Sequence, residues 1–247
     1  MSARHLSGGM LPISDISGII MIIASKLQVL DKIYAIHDEF ANTLELACKK
    51  RCSDCCTTNV LLTTLEGYKI VDALISGGNF DVIHNIETAP RSAICRPELT
   101  TNQIAKMCAD GRQLPEEDGP RTWGQCFFLM ENMCSIYQVR PFGCRCLVSR
   151  HKCGEKGYAE VDDFVISVNT VILQLIEHID DQGCTGNLVE VLGVLSSEDN
   201  QAAYRRDALT CRKAGLIPNH PLTVLMIPPE HRTRMQPILQ KLRQIKL

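Results

Sequence analysis

The sequence predicts a mainly α-helical fold, a single domain of packed helices around an irregular, cysteine-rich centre. Apolar residues recur at three- and four-residue steps over residues 15–47 and again over residues 158–180, the spacing of one buried face on a helix. Between these stretches, residues 126–153 show little periodicity and are rich in cysteines and turn signals. Strands do not alternate with helices along the chain, so a doubly wound sheet is not expected.

Local signals in the N-terminal half define its elements. Thr63 and Glu66 have the spacing of a capping box, which predicts the start of a helix. Gly77 and the glycine after it are expected to end that helix. Thr100 or Thr101 is expected to cap a shorter helix. The elements predicted here are a tail over 1–12, a helix over 15–47, an extended segment over 59–62, and helices over 64–76 and 101–107.

The C-terminal half contains further amphipathic segments. Gly183 follows the apolar face of 158–180 and is expected to end that helix. Pro229 stands where proline suits the first turn of a helix. The elements predicted here are helices over 158–180, 187–195 and 199–214, a strand over 222–227, and a helix from Pro229 to Ile245.

The composition excludes several classes of protein. The formal net charge is −2 and aromatic residues make up 5% of the chain, so neither the basic surface nor the stacking platforms of a nucleic-acid-binding protein are expected. The most apolar early stretch, Gly18–Ala24, is too short to span a bilayer and does not resemble a secretory signal. The sequence therefore predicts a cytoplasmic protein without a membrane span.

Cysteine is the unusual residue of this chain. There are 13 cysteines, an odd number that cannot pair completely within one chain. In a reducing cytosol, clustered cysteines more often bind metal or react than form disulfides. Isolated cysteines are instead expected to be small buried hydrophobes. The cysteines assigned to that class are Cys95, Cys108, Cys184 and Cys211.

The first cysteine cluster contains Cys48, Cys52, Cys55 and Cys56. The two-residue gap between Cys52 and Cys55 is the short chelate loop found in zinc and iron–sulfur sites. Cys48 and Cys52 are one helical turn apart, so we expect a helix end to present both on one face. The basic residues 49–51 are expected to lower the pKa of these thiols toward the metal-binding thiolate.

The second cluster supplies distant thiols in apolar surroundings. Its cysteines are Cys126, Cys134, Cys144 and Cys146, followed by Cys153. The apolar residues between them suit a shielded metal shell. Two arginines of this segment, Arg140 and Arg145, are expected to neutralise the negative charge of a thiolate cluster.

These residues resemble the CxxCxxCC family, a family of zinc- or iron-chelating domains. The likeness covers roughly residues 45–153 and is carried by the first cluster, by Thr63 and Glu66, and by a distal string of matching residues. The residues of the string are Cys134, Ile136, Tyr137, Arg140, Pro141, Cys144 and Arg145.

The resemblance implies a set of metal-site cysteines, with Cys146 or Cys153 as the next candidate. The chain departs from the family at Ser53-Asp54, where a glycine is expected, and Asp54 is therefore a candidate for the metal or its surroundings. The expected metal residues are Cys48, Cys52, Cys55, Cys56, Cys126, Cys134, Cys144 and Cys146. The expected regions are an N-terminal tail and helix over 1–44, a cysteine-cluster metal-binding domain over 45–153, and a C-terminal helical region over 154–247 packed on it.

Several functions are compatible with this cysteine set. The first is an iron–sulfur protein, with a cluster of the 4Fe-4S type or with zinc as the alternative, in a structural or electron-transfer role. By resemblance, the second is a protein-lysine N-methylase that uses S-adenosylmethionine, although no glycine-rich nucleotide motif follows a strand. The third is a zinc- or iron-handling protein with a client partner. The fourth is a thiol–disulfide switch. His151 is a candidate mixed ligand; no catalytic residue and no oligomeric state is predicted.

Overall fold

The computed structural model describes residues 13–49, 51–88, 94–115 and 124–245, and helices dominate these ranges, which confirms the mainly α prediction. The tail expected over 1–12 lies outside the described residues. Helices α1 to α10 span Ile13–Ala41, Thr64–Ser76, Phe80–Thr88, Thr101–Ala109, Phe142–Arg145, Cys153–Lys156, Asp163–Ile179, Leu188–Leu195, Glu198–Arg205 and Arg232–Arg243. Strands β1 to β5 span Leu61–Thr63, Leu129–Met130, Met133–Cys134, Cys184–Asn187 and Ile217–Pro218, and 3-10 turns occupy Tyr137–Val139, Cys211–Ala214 and Pro229–His231.

The first helix ends earlier than the apolar periodicity predicts. The Thr43 backbone N–H donates to the Phe40 carbonyl at 3.0 Å, and the Thr43 hydroxyl donates to the same carbonyl at 2.7 Å. Such local bonds compete with the helical ladder and end α1 at Ala41. Cys48 therefore lies in irregular chain, and the expectation that a helix end presents Cys48 and Cys52 is wrong.

Helix α2 lies at the centre of the fold, and its predicted capping box is confirmed. The Thr63 side chain accepts from the Glu66 N–H, while the Glu66 carboxylate accepts from the Thr63 N–H at 3.0 Å. Gly67 allows α8 to approach closely, because a Cβ at this position would lie 2.5 Å from a methyl carbon of Val191. Thr100, one of the two expected residues, caps helix α4, and this cap is a second capping box.

The C-terminal helices differ from the expected ones in two places. Helix α7 begins at Asp163 because the Asp162 side chain caps it by accepting from the Phe164 N–H at 2.9 Å. The helix expected over 199–214 is divided, since α9 ends at Arg205 and Asp207 has a left-handed φ of 52°. The final helix is confirmed, although it opens with a 3-10 turn at Pro229.

A three-stranded antiparallel sheet, in the order β1-β4-β5, was not expected from the sequence. The extended segment predicted near residues 59–62 contributes to β1, which pairs with β4. The strand predicted over 222–227 is wrong. Its backbone instead bonds to the Gln174 side chain of α7: Gln174 Nε2 donates to the Val224 carbonyl at 2.7 Å, and the Met226 N–H donates to Gln174 Oε1 at 2.9 Å.

The core consists of two apolar clusters. One lies between α2, α8 and the segment around Phe128, and the other lies between α1, α7 and α10. Asp180, at the end of α7, is completely buried and accepts hydrogen bonds from the Thr64 hydroxyl at 2.7 Å, the Leu65 N–H at 2.9 Å and the Tyr204 hydroxyl at 2.6 Å. Burial raises the pKa of this carboxyl to about 6, against the opposing effect of its donors.

Two of the isolated cysteines form a disulfide. Cys184 and Cys211, predicted to be separate buried residues, are both buried but bonded to each other across a sequence separation of 27 residues. A loop of this length corresponds to a stabilisation of about 3 kcal/mol, so replacing Cys211 would not be neutral. Cys108 is exposed rather than buried. Disulfides are rare in reducing compartments. The cytoplasmic location therefore stays a prediction.

Among the described residues, no helix combines the length and the apolar character needed to cross a membrane, as the sequence predicts.

Candidate metal centre

The first cysteine cluster lies on two successive turns. The Cys52 N–H donates to the Lys49 carbonyl at 2.9 Å, and the Cys56 N–H donates to the Ser53 carbonyl at 2.9 Å. Arg51, in the first turn, has a φ of 72°, in the left-handed region. These turns hold three of the four cysteines, Cys52, Cys55 and Cys56, and Cys48 directly precedes the first turn.

The second cluster is joined to the first by backbone hydrogen bonds. The Cys126 N–H donates to the Cys56 carbonyl at 3.0 Å, and Thr57 forms a β-bridge with Gln125. Cys134 lies on β3, opposite Leu129 on β2, and the hairpin turns through Glu131 and Asn132, both with left-handed φ angles. Cys56, Cys126 and Cys134 are thus brought together by main-chain pairing.

Cys144 is placed by the short helix α5, which Glu66 anchors. Glu66 is 2% exposed, and its Oε1 accepts from the Phe142 N–H at 2.7 Å and from the Tyr34 hydroxyl at 2.7 Å. Gly143 permits the next close contact, because a Cβ there would lie 2.6 Å from the Leu61 carbonyl oxygen. The start of α5 is therefore held tightly against β1 and α2.

One cavity of about 850 Å³ collects most of the predicted metal residues. Its wall also includes apolar side chains such as Phe128 and Ile136, both of which are buried. The cysteines that line it are Cys48, Cys52, Cys55, Cys56, Cys126, Cys134 and Cys144. Seven of the eight predicted metal residues therefore face the same space, although they come from distant parts of the chain.

Cys146, the eighth predicted residue, does not line this cavity. Its thiol donates to the Gly143 carbonyl at 3.5 Å and packs against the second apolar cluster, the one between α1, α7 and α10. The pKa of Cys146 is raised to about 11, mainly by burial and also by the Glu66 carboxylate, against the opposing effect of a backbone hydrogen bond. Cys146 therefore lies on the opposite side of α5 from the space that the other thiols share.

The two arginines of the distal string have different roles. Arg145 donates to the carbonyls of Arg140 and Gln138, forms an ion pair with Asp38 at 3.3 Å, and covers the Tyr34 ring at 4.3 Å. These contacts fix the backbone around the cavity. Arg140 lines the cavity, and among the described residues its buried Nε has no hydrogen-bond partner. Arg145 also lines the cavity, but of these two arginines it is Arg140 whose buried Nε keeps an unused donor beside the thiols.

Burial raises the pKa values of Cys48, Cys55 and Cys56 in the first cluster, whereas the neighbouring basic residues were expected to lower them. Burial raises the pKa of Cys126 to about 11 and that of Cys144 further. Charges on neighbouring thiolates act in the same direction, and the Arg140 guanidinium opposes them at Cys144. Without metal these thiols are protonated at neutral pH, so metal binding must release protons.

In the part of the chain that the structure describes, no group of three or more His, Cys, Asp or Glu side chains is already arranged to hold a metal ion. The donor chemistry nevertheless fits a thiophilic metal, since the cavity offers clustered thiols, an apolar wall and the unpartnered Nε of Arg140. The thiols would have to turn toward a common centre on binding.

His151 and Asp54 already have protein partners. The His151 ring nitrogens lie 3.0 Å from a Glu160 carboxylate oxygen and 3.0 Å from the Tyr158 carbonyl. Asp54 Oδ2 accepts from the Gly154 N–H at 2.9 Å, which joins the first cluster to the start of α6. Sequence reasoning missed this link and the anchoring role of Glu66; the capping-box spacing was the only signal for Glu66.

No protein-family model, no curated protein and no solved structure matches this chain. The resemblance to the CxxCxxCC family therefore stays a prediction that depends on the motif residues.

Proposed function

We propose that this chain is a metal-binding cysteine-cluster protein that holds an iron–sulfur cluster in a structural or electron-transfer role. The observation that carries the proposal is the common cavity lined by Cys48, Cys52, Cys55 and Cys56 together with Cys126, Cys134 and Cys144. Random placement of thiols would not bring seven cysteines from two distant segments to one space.

The environment of these thiols supports thiolate ligation. The apolar wall lowers the local dielectric constant, which strengthens the attraction between thiolates and a cation. Arg140 contributes a positive charge that opposes the raised pKa values of Cys56, Cys134 and Cys144. A bound iron–sulfur cluster would supply one-electron chemistry, whereas zinc would supply a cross-link alone.

The position of the cavity couples metal binding to the fold. Its thiols lie on the turns of residues 48–56, on the hairpin of β2 and β3, and on α5. These segments have little regular structure of their own, so ligands that join them contribute directly to the free energy of unfolding.

Replacing Cys134 tests the proposal. Cys134→Ser is expected to lower the metal content and to lower Tm by about 5 to 10 °C, because a lost ligand removes binding energy from the folded state. Elemental analysis and thermal unfolding of protein purified without oxygen measure both. The matched control is Cys108→Ser, an exposed thiol on α4 that does not line the cavity. Equal metal content in Cys134→Ser and wild type would refute the assignment.

A further inference from the structure

The adjacent residues Cys55 and Cys56 differ in their backbone connections, although their thiols are in hydrogen-bond contact with each other. The Cys56 carbonyl accepts from the Cys126 N–H, so Cys56 is joined to the second segment. Cys55 precedes these paired residues in the chain, on the side of Cys52 and Cys48. Burial is the main cause that raises the pKa of Cys55 to about 12. The charges of neighbouring thiolates act in the same direction, first that of Cys56 and then those of Cys52 and Cys48.

The thiols on the Cys56 side form a set of four. Cys126 and Cys56 share a backbone hydrogen bond. The Leu129 N–H donates to the Cys126 carbonyl at 3.0 Å, and Leu129 is paired with Cys134 across the hairpin of β2 and β3. Cys126, Cys134 and Cys144 all pack against the same apolar cluster. Burial raises the pKa of Cys144, and the thiolates of Cys126, Cys134 and Cys56 raise it further.

The thiols on the Cys55 side lack a fourth member among the cavity residues, and Cys153 is placed to supply it. Gly154 donates to Asp54, which stands between Cys52 and Cys55 in the chain. The approach is close, because a Cβ on Gly154 would lie 3.1 Å from Asp54 Oδ2. Helix α6 begins at Cys153, so this contact brings Cys153 to the first cluster.

A second link connects the same two segments. The Ala47 N–H donates to the Ser149 carbonyl at 2.9 Å, and the Cys48 thiol lies 4.0 Å from that carbonyl oxygen. Burial raises the pKa of Cys48, and the thiolates of Cys52 and Cys153 raise it further, against the opposing effect of a backbone contact with Ser149. Cys146, the alternative fourth ligand, faces the second apolar cluster.

We infer that the cysteines form two adjoining four-thiol metal sites, and that Cys146 belongs to neither. The first site comprises Cys48, Cys52, Cys55 and Cys153, and the second comprises Cys56, Cys126, Cys134 and Cys144. Four thiolates suit either a zinc ion or a 4Fe-4S cluster, so each site takes a metal centre of that ligand class. This inference rests on the proposed function and divides its ligands between two centres.

Metal counting by native mass spectrometry tests the division, because it reads the ions held by folded chains and excludes unfolded ones. Wild type, Cys153→Ser, Cys134→Ser and the double variant are compared after purification without oxygen. Each single variant is expected to lose half of the wild-type metal, and the double variant nearly all of it. The matched control is Cys146→Ser, a neighbouring thiol outside the cavity, which is expected to keep the full count.

The outcomes separate the division of the site from the proposed function. If wild type retains no metal, the proposed function fails. If wild type retains metal but Cys153→Ser and Cys134→Ser each lose all of it, one polynuclear site exists and the division is overturned. If Cys146→Ser loses metal while Cys153→Ser does not, Cys146 is the ligand and the assignment of Cys153 is overturned.

Discussion

At the scale of single residues, Arg140 shows which properties of a site residue the sequence predicts and which it does not. The string around Arg140 and Arg145 marks both as candidates to balance thiolate charge, and nothing in the spacing distinguishes them. The structure does, because Arg145 donates to the Arg140 and Gln138 carbonyls while the buried Nε of Arg140 has no partner among the described residues. A buried donor without a partner is costly, and a metal-bound thiolate would accept from it.

Replacing Arg140 should therefore weaken metal binding without removing a ligand. Arg140→Gln removes the charge that opposes the raised pKa values of Cys56, Cys134 and Cys144, and we expect a roughly 10- to 100-fold loss of metal affinity. Competition with a chromophoric chelator measures the affinity.

A matched arginine controls this experiment. The Arg140 guanidinium lies 4.0 Å from the centre of the Tyr137 ring, and that of Arg234 lies 4.0 Å from the centre of Phe164. Arg234 does not line the cavity. Arg234→Gln should retain wild-type affinity. Equal affinities in Arg140→Gln and wild type would show that the Arg140 charge plays no part in binding.

At the scale of elements, Glu66 connects α2, the best-predicted helix, to α5, the least predictable one. The capping box that begins α2 follows from Thr63 and Glu66 alone, because the motif is local in sequence. The second role of Glu66, accepting from the Phe142 N–H of α5, joins residues that are 76 apart in sequence. Local patterns carry no information about such a contact, which is why the position of Cys144 could not be derived from them.

Glu66→Gln tests whether this carboxylate holds α5 in place. Each of its oxygens accepts from one backbone N–H, Phe142 at Oε1 and Thr63 at Oε2, and an amide supplies only one oxygen. One buried N–H must then lose its acceptor, which costs about 1–3 kcal/mol. Denaturant unfolding of metal-free protein measures the loss.

An exposed glutamate provides the comparison for Glu66→Gln. Glu39 forms an ion pair with Lys241 at 2.6 Å, and both side chains are more than half exposed. Glu39→Gln should leave the free energy of unfolding within about 0.5 kcal/mol of wild type. If the two variants were equally stable, the anchoring role of Glu66 would be wrong.

At the scale of the whole molecule, composition and periodicity predict the helical class but not its long-range connections. The amphipathic faces of α1, α7 and α8 are visible in the sequence because helix periodicity is local. The pairing of β1 with β4 and the disulfide between Cys184 and Cys211 are not visible, since both join segments that are distant in sequence. The shared cavity is of the same kind: the motif indicates which thiols matter, and only the fold brings them together.

Elemental analysis and an absorption spectrum of the wild-type protein show whether the cavity thiols hold a metal. The protein is purified without oxygen and desalted to remove weakly bound ions. We expect brown protein that retains iron and a matching amount of sulfide. Colourless protein with tightly bound zinc would contradict the iron–sulfur assignment while preserving the thiolate site. Protein without retained metal, whose cavity thiols alkylate as readily in the native as in the unfolded state, would show that these thiols do not bind a metal at all.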